Sequence, residues 1–169
     1  MRTFGLGVVA LLAMAATAVA QAPPAAPAPP PLKTFAGSAE IAAMIAKAKS
    51  QQKPDVPTIV MPIVGLLPYV ANLEYRTGVG PATTHEIQAE IFYVLDGSGT
   101  LVTGGKLAGE TRTNPENLRG VGIDGGVSRT VVKGDMVIVP ENTPHWFNKF
   151  NGPLVLISLK VPHQSGNPK

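Results

Sequence analysis

Two histidines lie beside short stretches of the residue types that build β-strands. His85 precedes the run from Ile87 to Leu95, and His145 follows the run from Met136 to Val139. Glycine or proline bounds each run, which is typical of a strand with a turn attached. Imidazoles bind metals and transfer protons, so a barrel that brought both histidines together would place that chemistry in its interior.

Carboxylate and amide side chains accompany the first histidine. Glu86, Gln88 and Glu90 alternate along the chain, and the side chains of a strand repeat with a period of two. These three would therefore share one face with Phe92. His85 has the opposite parity, so a bulge or the start of a loop before Glu90 is needed to return it to that face.

The two stretches resemble the two sequence motifs of the cupin family. Glu90-x6-Gly97 matches the end of the first motif, and His85 stands in the place of its second histidine. Gly134-x5-Pro140, followed by His145, matches the second motif in spacing. The chain departs from the family pattern at three positions: Thr83 replaces the first histidine, Asn142 replaces a glycine, and Asn148 falls one place early for an asparagine.

The resemblance implies an all-β fold, a double-stranded β-helix or jelly-roll barrel, and a metal site inside it. The expected ligands are His85, Glu90 and His145, with Gln88 or Glu86 completing the set if a fourth is needed. Two neutral imidazoles and one carboxylate leave coordination positions open and suit Fe, Mn, Ni or Zn. Glu86 or Glu90 would act as the proton acceptor.

A metal-free cavity is the alternative, because the first histidine of the motif is missing. Against it, a glutamate buried beside Phe92 is costly unless a cation or hydrogen-bond donor pairs with it. The same cavity would bind substrate through Arg76, Phe92 and Trp146. For Arg76 the other interpretation is an exposed pair with Glu74 on one face of a strand.

Seven short strands are predicted, with turns of Gly, Pro and Asn between them. This pattern is typical of a sandwich or barrel, not of a parallel sheet with crossover helices. The predicted strands are Thr58 to Val64, Tyr69 to Arg76, Ile87 to Leu95, Thr100 to Thr103, Val127 to Val132, Met136 to Val139 and Leu154 to Val161.

One helix is predicted ahead of the barrel, within residues 34–53. Ser38 is a candidate N-cap, Ile41, Met44 and Ile45 recur at helical spacing, and Pro54 stops the pattern. The barrel is expected over residues 56–162. We expect the helix to pack on the outside of the barrel or on a second subunit.

The segment from Thr103 to Val127 joins the two motifs and is longer than most connections in compact domains. As a lid it would place Arg112 or Arg119 on an anionic substrate. As a decorated hairpin or a dimer contact it would have no direct role at the site. Both interpretations remain open from the sequence.

Residues 1–20 have the pattern of a secretory signal: a basic end, an apolar run from Phe4 to Val19, and small residues before Gln21. Cleavage is expected after Ala20, and the product is expected in the periplasm or secreted. Residues 21–33 are nearly all alanine and proline and predict a linker. Residues 163–169 form a polar tail in which His163 is expected to be exposed and unrelated to the site.

Composition excludes some partners and cross-links. The chain has no cysteine, so no disulfide holds it. Its formal charge of +3 is small and scattered, which argues against nucleic acid, and nothing predicts stable membrane insertion after signal cleavage.

Two functions fit these observations. One is a metal-dependent enzyme of dioxygenase, isomerase or lyase type that acts on a small oxygenated or anionic molecule. The other is a non-catalytic module that binds a small ligand, such as a sugar or an aromatic acid, and that could be metal-free. A homodimer through an exposed strand face is common among cupins and is expected here from the resemblance alone.

Overall fold

The computed structural model describes residues 32–163. The predicted signal, most of the linker and residues 164–169 of the tail lie outside the described residues. One helix precedes thirteen strands. Their bounds are α1 Ser38–Gln51, β1 Thr58–Leu66, β2 Tyr69–Arg76, β3 Ala82–His85, β4 Gln88–Asp96, β5 Ser98–Thr103, β6 Lys106–Ala108, β7 Thr111–Asn114, β8 Asn117–Gly120, β9 Gly122–Asp124, β10 Val127–Val132, β11 Met136–Val139, β12 His145–Phe150 and β13 Leu154–Pro162.

Two antiparallel sheets form the jelly roll, in agreement with the all-β fold predicted from the sequence. The first has the order β1-β2-β13-β4-β11 and the second the order β10-β5-β12-β3-β8-β7. Apolar side chains of both sheets meet between them and form the barrel core: Phe92, Val94, Leu101, Val131, Val139, Phe147, Leu154 and Leu156.

Strand β4 shows how the sequence alternation positions the site. Glu90, Phe92 and Val94 are buried, whereas Tyr93 between them is exposed. Phe92 and Val94 belong to the core, so the same face of the strand carries the Glu90 carboxylate into the barrel.

Helix α1 packs on the outer face of the first sheet. Ala48 is buried there with Ile63, Leu73, Tyr75 and Val155, which form a second apolar cluster. Gly37 occupies the N-cap position and no side chain caps the helix, so the prediction of Ser38 as the cap was wrong. Ser38 is the first helical residue instead, because the backbone of Gly37 already adopts the extended conformation of a cap.

The segment between the motifs is a β-ribbon. Strand β6 pairs with β9 and β7 pairs with β8, so the chain runs out to a tip at residues 114–117 and returns. Strand β8 also pairs with β3 and thereby joins the ribbon to the second sheet. Of the two interpretations made from the sequence, the ribbon agrees with the decorated hairpin. Its tip contacts the His85 side chain through Asn117.

Within residues 32–163, no helix is both long and apolar enough to cross a bilayer.

Candidate metal site

Three side chains converge in the barrel interior. The Nε2 atom of His85 and the Nε2 atom of His145 each lie 3.1 Å from Oε2 of Glu90. Glu90 and His145 are buried, and His85 is half-buried. Among the described residues these three are the one group of His, Cys, Asp or Glu side chains whose ligand atoms all lie within 4.8 Å of one another.

Both sheets contribute to the cluster. His85 is the last residue of β3 and His145 the first of β12, and these strands are neighbours in the second sheet. After His85 the chain bends through Glu86 and Ile87 and enters β4 in the first sheet. The bend resolves the parity conflict between His85 and Glu90, because the two residues lie on different strands.

Hydrogen bonds fix the ring nitrogen that each histidine offers. His145 Nδ1 donates to the carbonyl oxygen of Thr143 at 3.2 Å. His85 Nδ1 donates to Oδ1 of Asn117, whose amide nitrogen in turn donates to Oδ1 of Asn114. A neutral imidazole with a proton on Nδ1 carries a lone pair on Nε2. Both Nε2 lone pairs therefore face the Glu90 carboxylate.

The Glu90 carboxyl is held in its charged form. Burial raises its pKa, but hydrogen bonds and positive charge from His145 and His85, when their Nε2 atoms carry protons, outweigh burial and keep the pKa well below its usual range. Three electron-pair donors this close repel one another unless a cation lies among them. That cation is either a proton on one of the Nε2 atoms or a metal ion.

The donor set fits a divalent transition metal. Imidazole nitrogen and carboxylate oxygen are donor types that Fe, Mn, Ni and Zn all accept, and the three side chains lie close enough together to share one ion. The Nδ1–H group of each histidine also donates a hydrogen bond to an oxygen acceptor, as metal-binding histidines commonly do.

Glu86 lies outside the cluster. Arg112 on β7 donates to both of its carboxylate oxygens, at 2.6 Å and 3.0 Å. The hydrogen bond from Arg112 lowers the pKa of Glu86. The prediction of Glu86 as a fourth ligand or proton acceptor therefore fails in this arrangement, because the bend before β4 turns its carboxylate toward the ribbon.

Gln88 begins β4, two residues before Glu90. In the described part of the chain no hydrogen bond joins its side chain to His85, Glu90 or His145. The structure thus places Gln88 beside the cluster but gives it no contact that would favour it as a ligand.

Arg76 and Glu74 form an ion pair inside the barrel. Arg76 Nε donates to Glu74 Oε2 at 2.7 Å, and its guanidinium carbon lies 4.7 Å from the centre of the Phe147 ring. Glu74 is only 5% exposed, so the interpretation of an exposed surface pair was wrong. Arg76 also lines a cavity beside His145 and Trp146, but its charge is matched by Glu74.

The aromatic residues named from the sequence differ in position. Trp146 lines the cavity beside His145, and its indole nitrogen donates to the carbonyl oxygen of Gly80 at 2.8 Å. Phe92 is instead a core residue that packs against Phe147 and against the His145 ring. It does not line either cavity beside the site. Phe147 is buried in the same core.

The family model described as Cupin matches residues 63–168. This chain is a cupin. No curated protein matches it by sequence. Among solved structures, Fe(II) HppE is 14% identical with a TM-score of 0.50, over 65% of this chain and 54% of that one. KdgF from Halomonas sp. is 17% identical with a TM-score of 0.48, over 67% of this chain and 87% of that one. At these identities the likeness concerns the fold alone.

Two departures from the cupin motifs have a structural explanation. Asn142, in the place of a glycine, has a positive φ of 55°, a conformation that asparagine tolerates better than most residues. Thr83, in the place of the first histidine, lies opposite His145 on the neighbouring strand, and its hydroxyl oxygen is 3.0 Å from His145 Nε2. A hydroxyl thus contacts the ring nitrogen that faces Glu90.

Sequence reasoning missed Thr83 and Asn117 as partners of the two histidines. Thr83 could have been found, since it lies two residues before His85 and shares its face of a strand. Asn117 gave no signal, because only the folded ribbon brings it to His85. His163 is exposed, as predicted, lies 2.8 Å from a Glu141 oxygen, and is not a member of the cluster.

Proposed function

We propose that this chain is an exported single-domain cupin that binds a divalent metal and acts on a small oxygenated or anionic molecule. The ligands are His85, Glu90 and His145. The observation that carries the proposal is the convergence of the two Nε2 atoms on the buried Glu90 carboxylate. A dioxygenase, isomerase or lyase reaction fits a site with three protein ligands.

A bound metal would act as a Lewis acid toward an oxygen of the small molecule. The protein residues perform the remaining tasks. Glu90 supplies the negative charge of the ligand set, Asn117 and the Thr143 carbonyl orient the imidazoles, and Phe92 closes the floor beneath His145. Access is from the side of the cavities that contain Thr83.

A non-catalytic, metal-free binding cupin is the second candidate. The hydrogen bond between Thr83 and His145 Nε2 favours it, because that contact already satisfies one of the two ring nitrogens. A proton on His85 Nε2 would then satisfy the Glu90 carboxylate. The two candidates differ in whether a metal occupies the cluster.

Metal content of the mature protein tests the proposal. The protein is purified without chelators and measured by elemental mass spectrometry, alongside His85→Ala and His145→Ala variants. His163→Ala is the matched control, because His163 is the one other histidine of the chain and lies outside the cluster. Near-stoichiometric Fe, Mn, Ni or Zn that disappears in the first two variants and persists in the control would support the metal enzyme.

The opposite result has a distinct meaning. Protein that contains no metal and takes none up on reconstitution would refute the metal site and leave the binding module as the better candidate. Metal retained in both His85→Ala and His145→Ala would refute the ligand assignment.

Export is proposed from residues 1–20 alone. Intact-mass measurement of the protein from the periplasm and culture medium would give a chain that begins at Gln21 if the signal is cleaved after Ala20. Full-length chain confined to the cytoplasm would refute the proposal.

A further inference from the structure

Two adjoining cavities flank the His85–Glu90–His145 cluster. One, of about 200 Å³, contains His145 in its wall, and the other, of about 210 Å³, contains His85. Thr83 and Arg119 line both. A molecule bound at the cluster in either cavity would therefore lie next to Arg119.

Strand register places Arg119 on the face of the sheet that carries the site. Arg119 on β8 pairs with Thr83 on β3, which pairs with His145 on β12. Directly paired residues of neighbouring strands project on the same side of a sheet. The Thr83 hydroxyl reaches His145 Nε2, so Arg119 lies on the same face of the sheet as the site. Arg119 itself is exposed to solvent and lines both cavities.

Lys160 occupies the corresponding place on the opposite sheet. It pairs with Glu90 across β13 and β4, so it shares the inward face of Glu90. Lys160 also lines the cavity that contains His85, together with Arg119. The two cations thus reach the cavity that contains His85 from different sheets.

The neighbouring arginines are neutralised but these two cations are not. Arg76 is paired with Glu74 and Arg112 with Glu86. Within residues 32–163, no carboxylate lies within 4.0 Å of the charged nitrogens of Arg119 or Lys160. Neither cavity has an aspartate or glutamate in its lining.

We propose that Arg119 and Lys160 form a carboxylate-binding subsite beside the cluster, so that the small molecule bound by this cupin is an organic acid. The planar guanidinium of Arg119 matches the two oxygens of a carboxylate, and Lys160 adds a second positive charge. The proposal rests on the proposed function in that it places a substrate at the same site. The cavity volumes suit a small acid.

Matched acid and amide pairs test this directly. Lactate with lactamide, benzoate with benzamide, and galacturonate with galacturonamide differ by one carboxylate each. Binding is measured by calorimetry and by the fluorescence of Trp146, which is the one tryptophan of the chain and lines a cavity. We expect at least one acid to bind more tightly than its amide by about tenfold, the value of one charge-assisted contact.

The variant Arg119→Gln/Lys160→Gln should lose that preference and bind acid and amide alike. The control Arg129→Gln/Lys149→Gln removes the same charges from positions on β10 and β12 that line neither cavity, and it should keep the preference. Metal content is measured on every protein and should not change. Acids that bind no better than their amides in all three pairs, or a preference that survives in Arg119→Gln/Lys160→Gln, would overturn the inference.

The two proposals fail in different ways. If the protein holds no metal but prefers acids through Arg119 and Lys160, the subsite stands and the metal function fails. If the protein holds metal but shows no preference for acids, the metal function stands and the subsite fails.

Discussion

At the scale of single residues, the site is governed by competition for His145 Nε2. The Thr83 hydroxyl donates to this nitrogen, and the same lone pair faces Glu90. A metal bound through Nε2 must displace the hydroxyl. Thr83, which replaces the first histidine of the cupin motif, thus lowers the affinity of the cluster for metal.

Replacing Thr83 with valine should raise the affinity of the protein for metal. Valine keeps the branched shape and removes the hydrogen bond, which is worth about 0.5–1.5 kcal/mol net. The expected gain in affinity is therefore about twofold to tenfold, measured by competition with a chromophoric chelator. An unchanged or weaker affinity would mean that the hydroxyl does not compete with metal for Nε2.

Thr84→Val is the matched control and carries a prediction of its own. Thr84 is only 2% exposed, and its hydroxyl has no hydrogen-bond partner within the described residues. Removing an unsatisfied buried hydroxyl should stabilise the fold by about 1 kcal/mol and leave metal affinity unchanged. Urea denaturation measures this effect, and a loss of stability would show that the Thr84 hydroxyl has a partner after all.

The sequence predicted which side chains point into the barrel wherever those residues lie on one continuous strand. The period of two placed Glu90 with Phe92 and Val94 inside the barrel, and all three are buried. The same rule failed for Glu86, because the bend at residues 86–87 interrupts the strand before it reaches that position. Periodicity does not extend beyond the strand that produces it.

At the scale of elements, the ribbon of β6 to β9 supports the site through its tip. Asn114 accepts hydrogen bonds from the backbone of Glu116 and the side chain of Asn117, and Asn117 accepts one from His85. Arg112 ties the same ribbon to Glu86. The segment that sequence reasoning left undecided between a lid and a hairpin therefore orients a candidate metal ligand.

Asn117→Ala should weaken metal binding by about 10-fold to 100-fold, the usual cost of losing a partner that orients a ligand. Asn117→Asp should restore most of the affinity, since a carboxylate also accepts from Nδ1. Nitrogen NMR of the metal-free protein gives a second readout: His85 should lose its preference for a proton on Nδ1 in the alanine variant. Asn151→Ala, in an exposed turn, is the control.

Equal metal affinity in Asn117→Ala and Asn151→Ala would contradict a positioning role for the ribbon.

The ribbon itself could not be predicted, because its strands lack an apolar alternation. All four residues of β7 are exposed, so burial leaves no periodic pattern in that part of the sequence. Strands β3 and β12 were missed for a different reason: each is short and contains a candidate ligand instead of an apolar run.

At the scale of the whole molecule, the fold could be predicted because two independent features agree. Turn residues separate short apolar strands, and each of the two motifs carries one histidine, in the order that the cupin family has. The strands with strong alternation, such as β2, β4 and β13, lie within two residues of their predicted bounds. The order of the strands within each sheet was not predicted, because the sequence pattern does not show which strands pair.

The outer face of the first sheet bears on the oligomeric state. Met136 and Ile138 on β11 are 69% and 63% exposed, and Tyr93 on β4, which pairs with Met136, is 39% exposed. Strand β11 is also an edge of its sheet. Natural proteins generally cover or charge such an apolar edge, and no charged residue does so within β11.

We therefore expect this edge to pair with a second copy of the chain. Light scattering after size exclusion should give a dimer for the wild type and a monomer for Met136→Glu/Ile138→Glu, because two buried charges cannot be solvated in the interface. Val60→Glu is the control, since Val60 is 55% exposed on β1, the other edge of the same sheet. A wild-type monomer, or a dimer that only Val60→Glu dissociates, would contradict an interface at β11. Metal retained in the monomeric Met136→Glu/Ile138→Glu variant would show that each chain holds a complete site.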